Sequence, residues 1–259
     1  MACIISIHSF RGGTGKSNIT ANIASQTALL DKRVGIIDTD IQSPGIHVPF
    51  GLDEHKMGKT LNQFLRSECS IEQVALCIGE HTGDAAGRRK LAGKQLWLAP
   101  SSINSGEIGR VLRDGYDVGK LNEGMQGMIK GLKLDYLFID THPGLNEETL
   151  LSIAISDILL IVMRPDQQDF QGTAVTVDIA RGLDVPNLFL VINKALTRYD
   201  FGQVRQQVEE IYNAPVAGVL PLTEDMADMG SADIFSLLFP DHPWSQSIRA
   251  IANTVFASV

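Results

Sequence analysis

A glycine-rich run near the start of the chain has the composition of a loop that binds phosphate. The run is RGGTGKS at positions 11–17, and it follows the apolar stretch CIISIHS. Glycines allow backbone N–H groups to converge on phosphate oxygens, while a lysine can reach the outer phosphates and a hydroxyl can ligate Mg²⁺. We therefore expect phosphate contacts, with Ser17 also on the metal, from Gly12, Gly13, Thr14, Gly15, Lys16, Ser17 and Asn18.

The run matches only the second half of the usual phosphate-loop pattern, GxxxxGK[ST]. The early glycine of that pattern would fall at Ser9 or Phe10 and is absent, and a long cation, Arg11, opens the loop instead. The surroundings nevertheless fit, because a β-branched stretch precedes the loop and apolar residues with helical spacing follow it from Lys16 to Leu30. This strand–loop–helix context favours a phosphate-binding loop over a chance turn.

Three aspartates end apolar runs further along the chain. Asp38 and Asp40 close RVGIIDTD two residues apart, so their side chains leave the same face of a strand. The alternative for Asp38 is a turn acceptor at the strand end. Asp140 closes YLFID at the edge where ligands bind in open parallel sheets, and we expect it to reach Mg²⁺ through water beside Ser17. We assign no catalytic role to His142, which follows in the turn.

Apolar runs alternate with helical patterns along the chain. Seven runs predict strands: CIISIHS, RVGIIDTD, KQLWLAPSS, LDYLFIDTHPG, ISDILLIVMRP, NLFLVINK and VAGVLPL. Such alternation is typical of an α/β fold, with a mostly parallel twisted sheet covered by helices on both faces. We expect a single domain over residues 1–259, with the polar and basic stretch 79–94 as a solvated loop.

Composition narrows the class of protein. The chain has 259 residues, 44% of them hydrophobic, which is enough for one large core. Its net charge of −8 argues mildly against a surface committed to nucleic acid. No apolar run approaches the length of about 18 residues that predicts a membrane span, and the first ten residues predict a strand rather than a signal peptide. Cys3, Cys69 and Cys77 form no CxxC pair, so we expect free thiols and a cytoplasmic location.

The sequence resembles the ParA/MinD family of ATPases. RGGTGKS resembles the deviant Walker A motif of that family, VGIIDTDIQSPG its first switch segment, and YLFIDTHPGL its Walker B strand and second switch. VINK and GVLPLTED resemble its nucleotide-base loops, and PWSQSIRAIANTVF resembles its last helix, all in the family's order. The resemblance covers nearly the whole chain and implies a single-domain P-loop NTPase fold.

The resemblance implies ATP/ADP and Mg²⁺ as cofactors and gives roles to individual residues. Lys16 is expected to contact the outer phosphates, Asp40 to position or activate the attacking water, and Asp38 to help hold the switch. Asn193, at the end of a predicted strand, has an amide that can pair with an adenine edge, and Pro221 is expected to lie against the base.

Arg11 departs from the family's pattern. It stands where the family has a signature lysine, which reaches across a nucleotide-sandwiched dimer to the phosphates of the other subunit. Arginine keeps the charge and offers a planar fork, so the resemblance implies that Arg11 acts in trans and in catalysis. The alternative is that Arg11 pairs with a carboxylate of its own subunit.

The resemblance also implies a function and partners. It implies slow ATP hydrolysis by a homodimer that sandwiches ATP, with a protein activator or adaptor of hydrolysis, and positioning or partitioning of intracellular cargo. Non-specific DNA is one candidate surface, with a location at the nucleoid and basic residues at Arg88, Arg89, Lys90, Arg198, Arg205 and Arg249. A membrane surface is disfavoured, because Arg249 is the only charge in the segment 243–256, which we expect to dock on the core.

Three other functions remain open at the level of sequence. One is a non-hydrolysing scaffold that binds ATP, which would account for the substituted signature residue. Another is an ATP-dependent amide-ligating enzyme of the same fold, although no second substrate motif is visible. The third is a metal-cluster ATPase, which would need a cysteine pair at the dimer interface, and Cys69 and Cys77 lie eight positions apart.

Overall fold

All seven predicted strands form, and they join one eight-stranded sheet. The structure is a computed structural model that describes residues 2–258. Its strands are β1 (Cys3–His8), β2 (Val34–Asp38), β3 (Leu76–Cys77), β4 (Leu96–Ala99), β5 (Tyr136–Asp140), β6 (Ile158–Met163), β7 (Asn187–Ala195) and β8 (Val216–Pro221). Sequence patterns missed β3, because two residues are too few to show an alternation of apolar and polar positions.

The strand order is β3-β4-β2-β5-β1-β6-β7-β8. Every neighbouring pair within the described residues is parallel except β3 and β4. The predicted mostly parallel sheet is therefore confirmed. Because the carboxyl ends of parallel strands meet at one edge, the loops after β1, β2, β5, β7 and β8 gather at the same edge.

Helices connect the strands and cover both faces of the sheet. They are α1 (Lys16–Leu29), α2 (Leu61–Leu65), α3 (Ile71–Val74), α4 (Ser105–Asp114), α5 (Val118–Gly131), α6 (Glu147–Ala154), α7 (Gln167–Gly182), α8 (Phe201–Tyr212), α9 (Glu224–Met229), α10 (Phe235–Leu238) and α11 (Pro243–Phe256). Adjacent residues of β1 point to opposite faces, so Ile5 packs in one hydrophobic cluster with α1 and α11, whereas Ile4 packs with α5. A third cluster lies between β6, β7, α7 and α8.

The last helix packs on the sheet, as the sequence predicted. On α11 the side chains of Trp244, Ile248, Ile251 and Val255 are almost completely buried. In an amphipathic helix that binds a membrane surface, such an apolar face would be exposed to lipid instead. None of the helices within residues 2–258 has the length and hydrophobicity needed to cross a bilayer.

Most residues of the polar stretch 79–94 are exposed, as expected for a solvated loop, and hydrogen bonds also tie the stretch to the protein body. The Arg88 guanidinium donates to the carbonyl oxygens of Ala232 at 2.6 Å and Pro49 at 3.2 Å. The Asp233 carboxylate accepts from the backbone N–H of Gly87 at 2.7 Å, and Lys90 donates to the Leu237 carbonyl at 2.6 Å. Arg88 and Lys90 therefore donate to backbone carbonyl oxygens elsewhere in the fold, and a sequence pattern cannot reveal such acceptors.

We predict that Ile248→Ala lowers the free energy of unfolding by about 2–5 kcal/mol, because it removes a fully buried side chain between α11 and the sheet. Urea unfolding would measure the change. The matched control is Ile211→Ala, whose side chain is 61% exposed, and we expect a change within about 0.5 kcal/mol. Equal effects of the two substitutions would show that α11 is not docked as described.

Candidate functional site

The glycine-rich loop joins β1 to α1 and has a backbone that only glycine adopts easily. Gly13 has φ +77° and Gly15 has φ +96°, both in the left-handed region. A Cβ atom at Gly15 would also lie 2.5 Å from the Asn193 amide nitrogen. Lys16 is the first residue of α1, so the unpaired N–H groups of a helix start face the loop, as in anion-binding sites.

The end of β7 holds this loop in place. Asn193 donates from Nδ2 to the Thr14 carbonyl oxygen at 2.7 Å, and Lys194 donates from Nζ to the Gly13 carbonyl oxygen at 2.8 Å. Sequence reasoning missed Lys194, which has φ +57° and therefore turns its side chain back to the loop. The Asn193 side-chain oxygen also accepts from the Lys194 backbone N–H. One amide hydrogen and one oxygen lone pair of Asn193 are left for adenine, and this contact stays a prediction.

Two neighbouring cavities meet at the start of α1. One, of about 430 Å³, is lined by the glycine-rich loop together with Asp40, Ser43, Gly45, Val48 and Pro143. The other, of about 320 Å³, is lined by Asn193, Pro221, Met226 and Trp244, among others. Gly15, Asn18, Gly230 and Ser231 line both cavities, and Asn18 donates to the Ser231 hydroxyl at 3.1 Å. A polar chamber beside a more apolar one suits phosphates and a base, respectively.

Asp38 and Asp140 lie side by side beneath the loop. They are register partners on β2 and β5, and both side chains are almost completely buried. Burial raises the pKa of Asp38 well above its usual range, and the negative charges of Asp140 and Asp40 add to this effect. Burial also raises the pKa of Asp140, against the charge of Lys16 and the hydroxyls of Ser17 and Thr20.

The two carboxylates fit a Mg²⁺ ion. The Oδ2 atoms of Asp38 and Asp140 are buried and have no hydrogen-bond partner among the described residues. Unpaired buried carboxylate oxygens are costly, and carboxylate, hydroxyl and water oxygens are the ligands that Mg²⁺ prefers. Ser17 lines the phosphate side of the same region, so Ser17 and Asp140 would hold the ion, with Asp38 close by.

Asp40 faces the larger cavity together with Lys16. Its Oδ1 atom accepts from the Ser43 backbone N–H at 3.0 Å and lies 2.7 Å from Nδ1 of His142. Sequence reasoning gave His142 no catalytic role. One sequence signal could have placed His142 near Asp40. It follows Asp140 in the turn after β5, and the parallel pairing of β2 with β5 brings that turn to the sheet edge where Asp40 lies.

Arg11 does not line the cavity of about 430 Å³ beside the glycine-rich loop (the phosphate cavity), and it contacts residues of its own subunit. Its guanidinium donates to the Gln168 side-chain oxygen, and its Nε atom lies 4.0 Å from Oδ1 of Asp169. Asp169 is itself paired with Arg164 at 2.9 Å. Burial raises the pKa of Asp169, but the hydrogen bonds and charge of Arg164 outweigh burial and hold it below its usual range. The pairing within the subunit is therefore present, and the action of Arg11 in trans stays a prediction.

A family model, the CobQ/CobB/MinD/ParA nucleotide binding domain, matches residues 5–235. The chain belongs to this family. An uncharacterised ATP-binding protein of Methanocaldococcus jannaschii is 26% identical over 255 residues, covering 97% of this chain and 87% of that protein. An iron-sulfur cluster carrier protein of Rickettsia conorii is 27% identical over 231 residues, covering 87% of this chain but 63% of that protein.

A solved member has the same fold. The septum site-determining protein MinD of Pyrococcus horikoshii, complexed with Mg-ADP, superposes with a TM-score of 0.78 at 19% identity, covering 98% of this chain and 96% of that one. The predicted ParA/MinD resemblance and the P-loop NTPase fold are thus confirmed. The roles of the individual site residues stay predictions.

We predict that Lys16→Ala abolishes measurable ATP binding, because it removes the cation at the start of α1 that faces the phosphate cavity. Calorimetric titration with ATP and Mg²⁺ would measure this. Lys32→Ala, which removes an exposed lysine just before β2, is the control and should bind ATP like the unmodified chain. Retained affinity in a folded Lys16→Ala variant would rule out the phosphate-loop assignment.

Proposed function

We propose that this chain is an ATP-binding, slowly hydrolysing dimerisation switch of the ParA/MinD type. The observation that carries the proposal is the pair of adjoining cavities at the start of α1, one polar with Lys16 and Asp40 and one more apolar with Pro221. Their shared lining fits one ligand that has both phosphates and a base. The membership of the nucleotide binding domain family supports the same ligand class.

Hydrolysis is proposed from the groups that meet at the phosphate cavity. Phosphoryl transfer requires mainly positioning and electrostatic stabilisation. Lys16 and the N–H groups of the loop would bind phosphate oxygens, while Asp40 would orient the attacking water. Ser17 and Asp140 would hold a Mg²⁺ ion, whose charge would offset the negative charge on the phosphates.

Dimerisation is proposed from the position of Arg11. Its side chain is 41% exposed, at the rim beside the phosphate loop, and its partners within the chain are one amide and one shared carboxylate. Once released from these two contacts, the guanidinium could bridge phosphate oxygens of a second subunit. ATP bound between two subunits would then favour the homodimer, and hydrolysis would release it.

The output that we propose is the positioning or partitioning of cargo in the cytoplasm, with a protein that activates hydrolysis. The apolar face of α11 is buried, so this helix offers no apolar surface to a membrane. Non-specific DNA remains a candidate through exposed cations such as Arg89 and Arg198. Arg88 is a weaker candidate than its charge suggested, because it is tied to backbone carbonyls.

Metal-cluster delivery, which the name of the Rickettsia relative suggests, is less well supported here. Cys77 lies on the edge strand β3, four strands from β1, or about 19 Å at the usual strand spacing. Cys3 is buried, and burial raises the pKa of its thiol to about 12. Cluster ligands at the dimer face would need thiolates near the phosphate loop.

We predict that ATP with Mg²⁺ converts the protein to a dimer and that Arg11→Ala keeps it monomeric or without turnover. Light scattering with ADP, with ATP and without nucleotide would measure the mass. Arg11→Lys is the matched control, because it keeps the charge and restores the family's residue, and it should dimerise. If neither mass nor turnover responds to nucleotide or to Arg11, the chain shares only the fold, and the scaffold or amide-ligating function gains support.

We predict that Asp40→Ala retains ATP binding, loses turnover and accumulates as an ATP-bound dimer, since the group that orients the water is gone while the phosphate ligands remain. Phosphate release and mass, measured on one sample, would test this. The control is Asp178→Ala, which removes an exposed carboxylate on α7. Normal turnover in Asp40→Ala would remove this residue from the mechanism.

A further inference from the structure

His142 makes a hydrogen bond to Asp40 that connects two segments of the site. Its Nδ1 atom lies 2.7 Å from Oδ1 of Asp40, and the side chains are 21% and 14% exposed, respectively. An ionised carboxylate can only accept, so Nδ1 carries the hydrogen in this contact. His142, in the segment after β5, therefore holds the side chain of Asp40, in the segment after β2.

The two donors to Asp40 converge on the same oxygen atom. Oδ1 accepts from the Ser43 backbone N–H at 3.0 Å as well as from His142. Within residues 2–258, Oδ2 makes no hydrogen bond, although Asp40 lines the phosphate cavity. Two bonds on one oxygen fix the plane of the carboxylate and leave the second oxygen for a water in that cavity.

His142 is itself held from two sides. Its carbonyl oxygen accepts from the Thr149 hydroxyl in the first turn of α6 at 3.3 Å. The preceding residue, Thr141, donates its hydroxyl to the Ile7 carbonyl at 3.0 Å and accepts from Nδ1 of His8 at 2.8 Å. These bonds anchor the segment to α6 and to β1, so the imidazole has a defined place from which to hold Asp40.

We propose that His142 is a positioning residue, whose Nδ1–H orients the Asp40 carboxylate toward the attacking water. The inference rests on the proposed ATPase function and deepens it. Pro143, the next residue, also lines the phosphate cavity and lies 3.9 Å from the Cβ position of Gly12. The loop that carries the imidazole thus borders the phosphate cavity, and a shift of this loop would move the donor away from Asp40.

Three substitutions test the hydrogen bond through kinetics. His142→Leu removes the donor, and we expect kcat to fall by about 10- to 100-fold with KM for ATP changed by less than about twofold. His142→Asn places an amide N–H where Nδ1 lies, and it should recover kcat to within about threefold. His142→Gln puts its N–H one bond further out and should not. His55→Leu removes an exposed histidine elsewhere and is the control.

A second measurement needs no turnover. Nitrogen-15 NMR of the imidazole, in protein without nucleotide, reports which ring nitrogen carries the hydrogen. We expect the His142 resonance to show Nδ1–H in the unmodified chain and to shift toward Nε2–H in Asp40→Ala. A role of His142 in packing alone would not produce this shift.

The kinetic and NMR measurements distinguish failure of the positioning role, of the hydrogen bond and of the proposed hydrolysis. Unchanged kcat in His142→Leu with intact NMR evidence for the contact would overturn the positioning role and leave the ATPase standing. A ring that carries its hydrogen on Nε2 in both proteins would overturn the contact. Absence of turnover in the unmodified chain would overturn the proposed hydrolysis, and the role in positioning the water would fall with it.

Discussion

The repulsion between two buried carboxylates is the constraint on which the site depends. Parallel pairing of β2 with β5 places Asp38 directly beside Asp140, and each has one oxygen without a partner among the described residues. Such a pair is costly unless positive charge lies close by. Lys16 and the start of α1 supply part of that charge, and a divalent cation would supply the rest. The glycine-rich loop must therefore be held firmly over this edge of the sheet.

That requirement explains the contacts on the other side of the loop. Gly13 and Gly15 adopt left-handed conformations, and the carbonyl groups of Gly13 and Thr14 need hydrogen-bond donors. Asn193 and Lys194 provide them from the end of β7. Asn193 and Lys194, which line the more apolar cavity, thus also support the phosphate loop. A substitution of either residue is expected to disturb both cavities.

Patterns along the sequence were sufficient for seven of the eight described strands, the loop and the acidic strand ends, because burial and backbone geometry impose local signatures. They could not reveal contacts made by residues far apart. The bond between His142 and Asp40 joins positions 102 residues apart, and the bonds of Arg88 go to backbone carbonyls with no residue signature. The stretch 79–94 has a polar composition typical of a loop in solvent, yet Arg88 and Lys90 donate to backbone carbonyls elsewhere in the fold.

Phe10 and Arg11, the two residues that differ from the usual loop pattern, both pack against α7. Phe10 stands where a small residue was expected, and its ring occupies the space that a Cβ at Gly172 would take. Arg11 donates to the Gln168 side-chain oxygen, and its Nε atom lies 4.0 Å from Oδ1 of Asp169, both in the first turn of the same helix. If Arg11 acts on a second subunit, it must first leave these partners, so the contacts within the subunit oppose dimerisation until phosphate offers the guanidinium a stronger pair of acceptors.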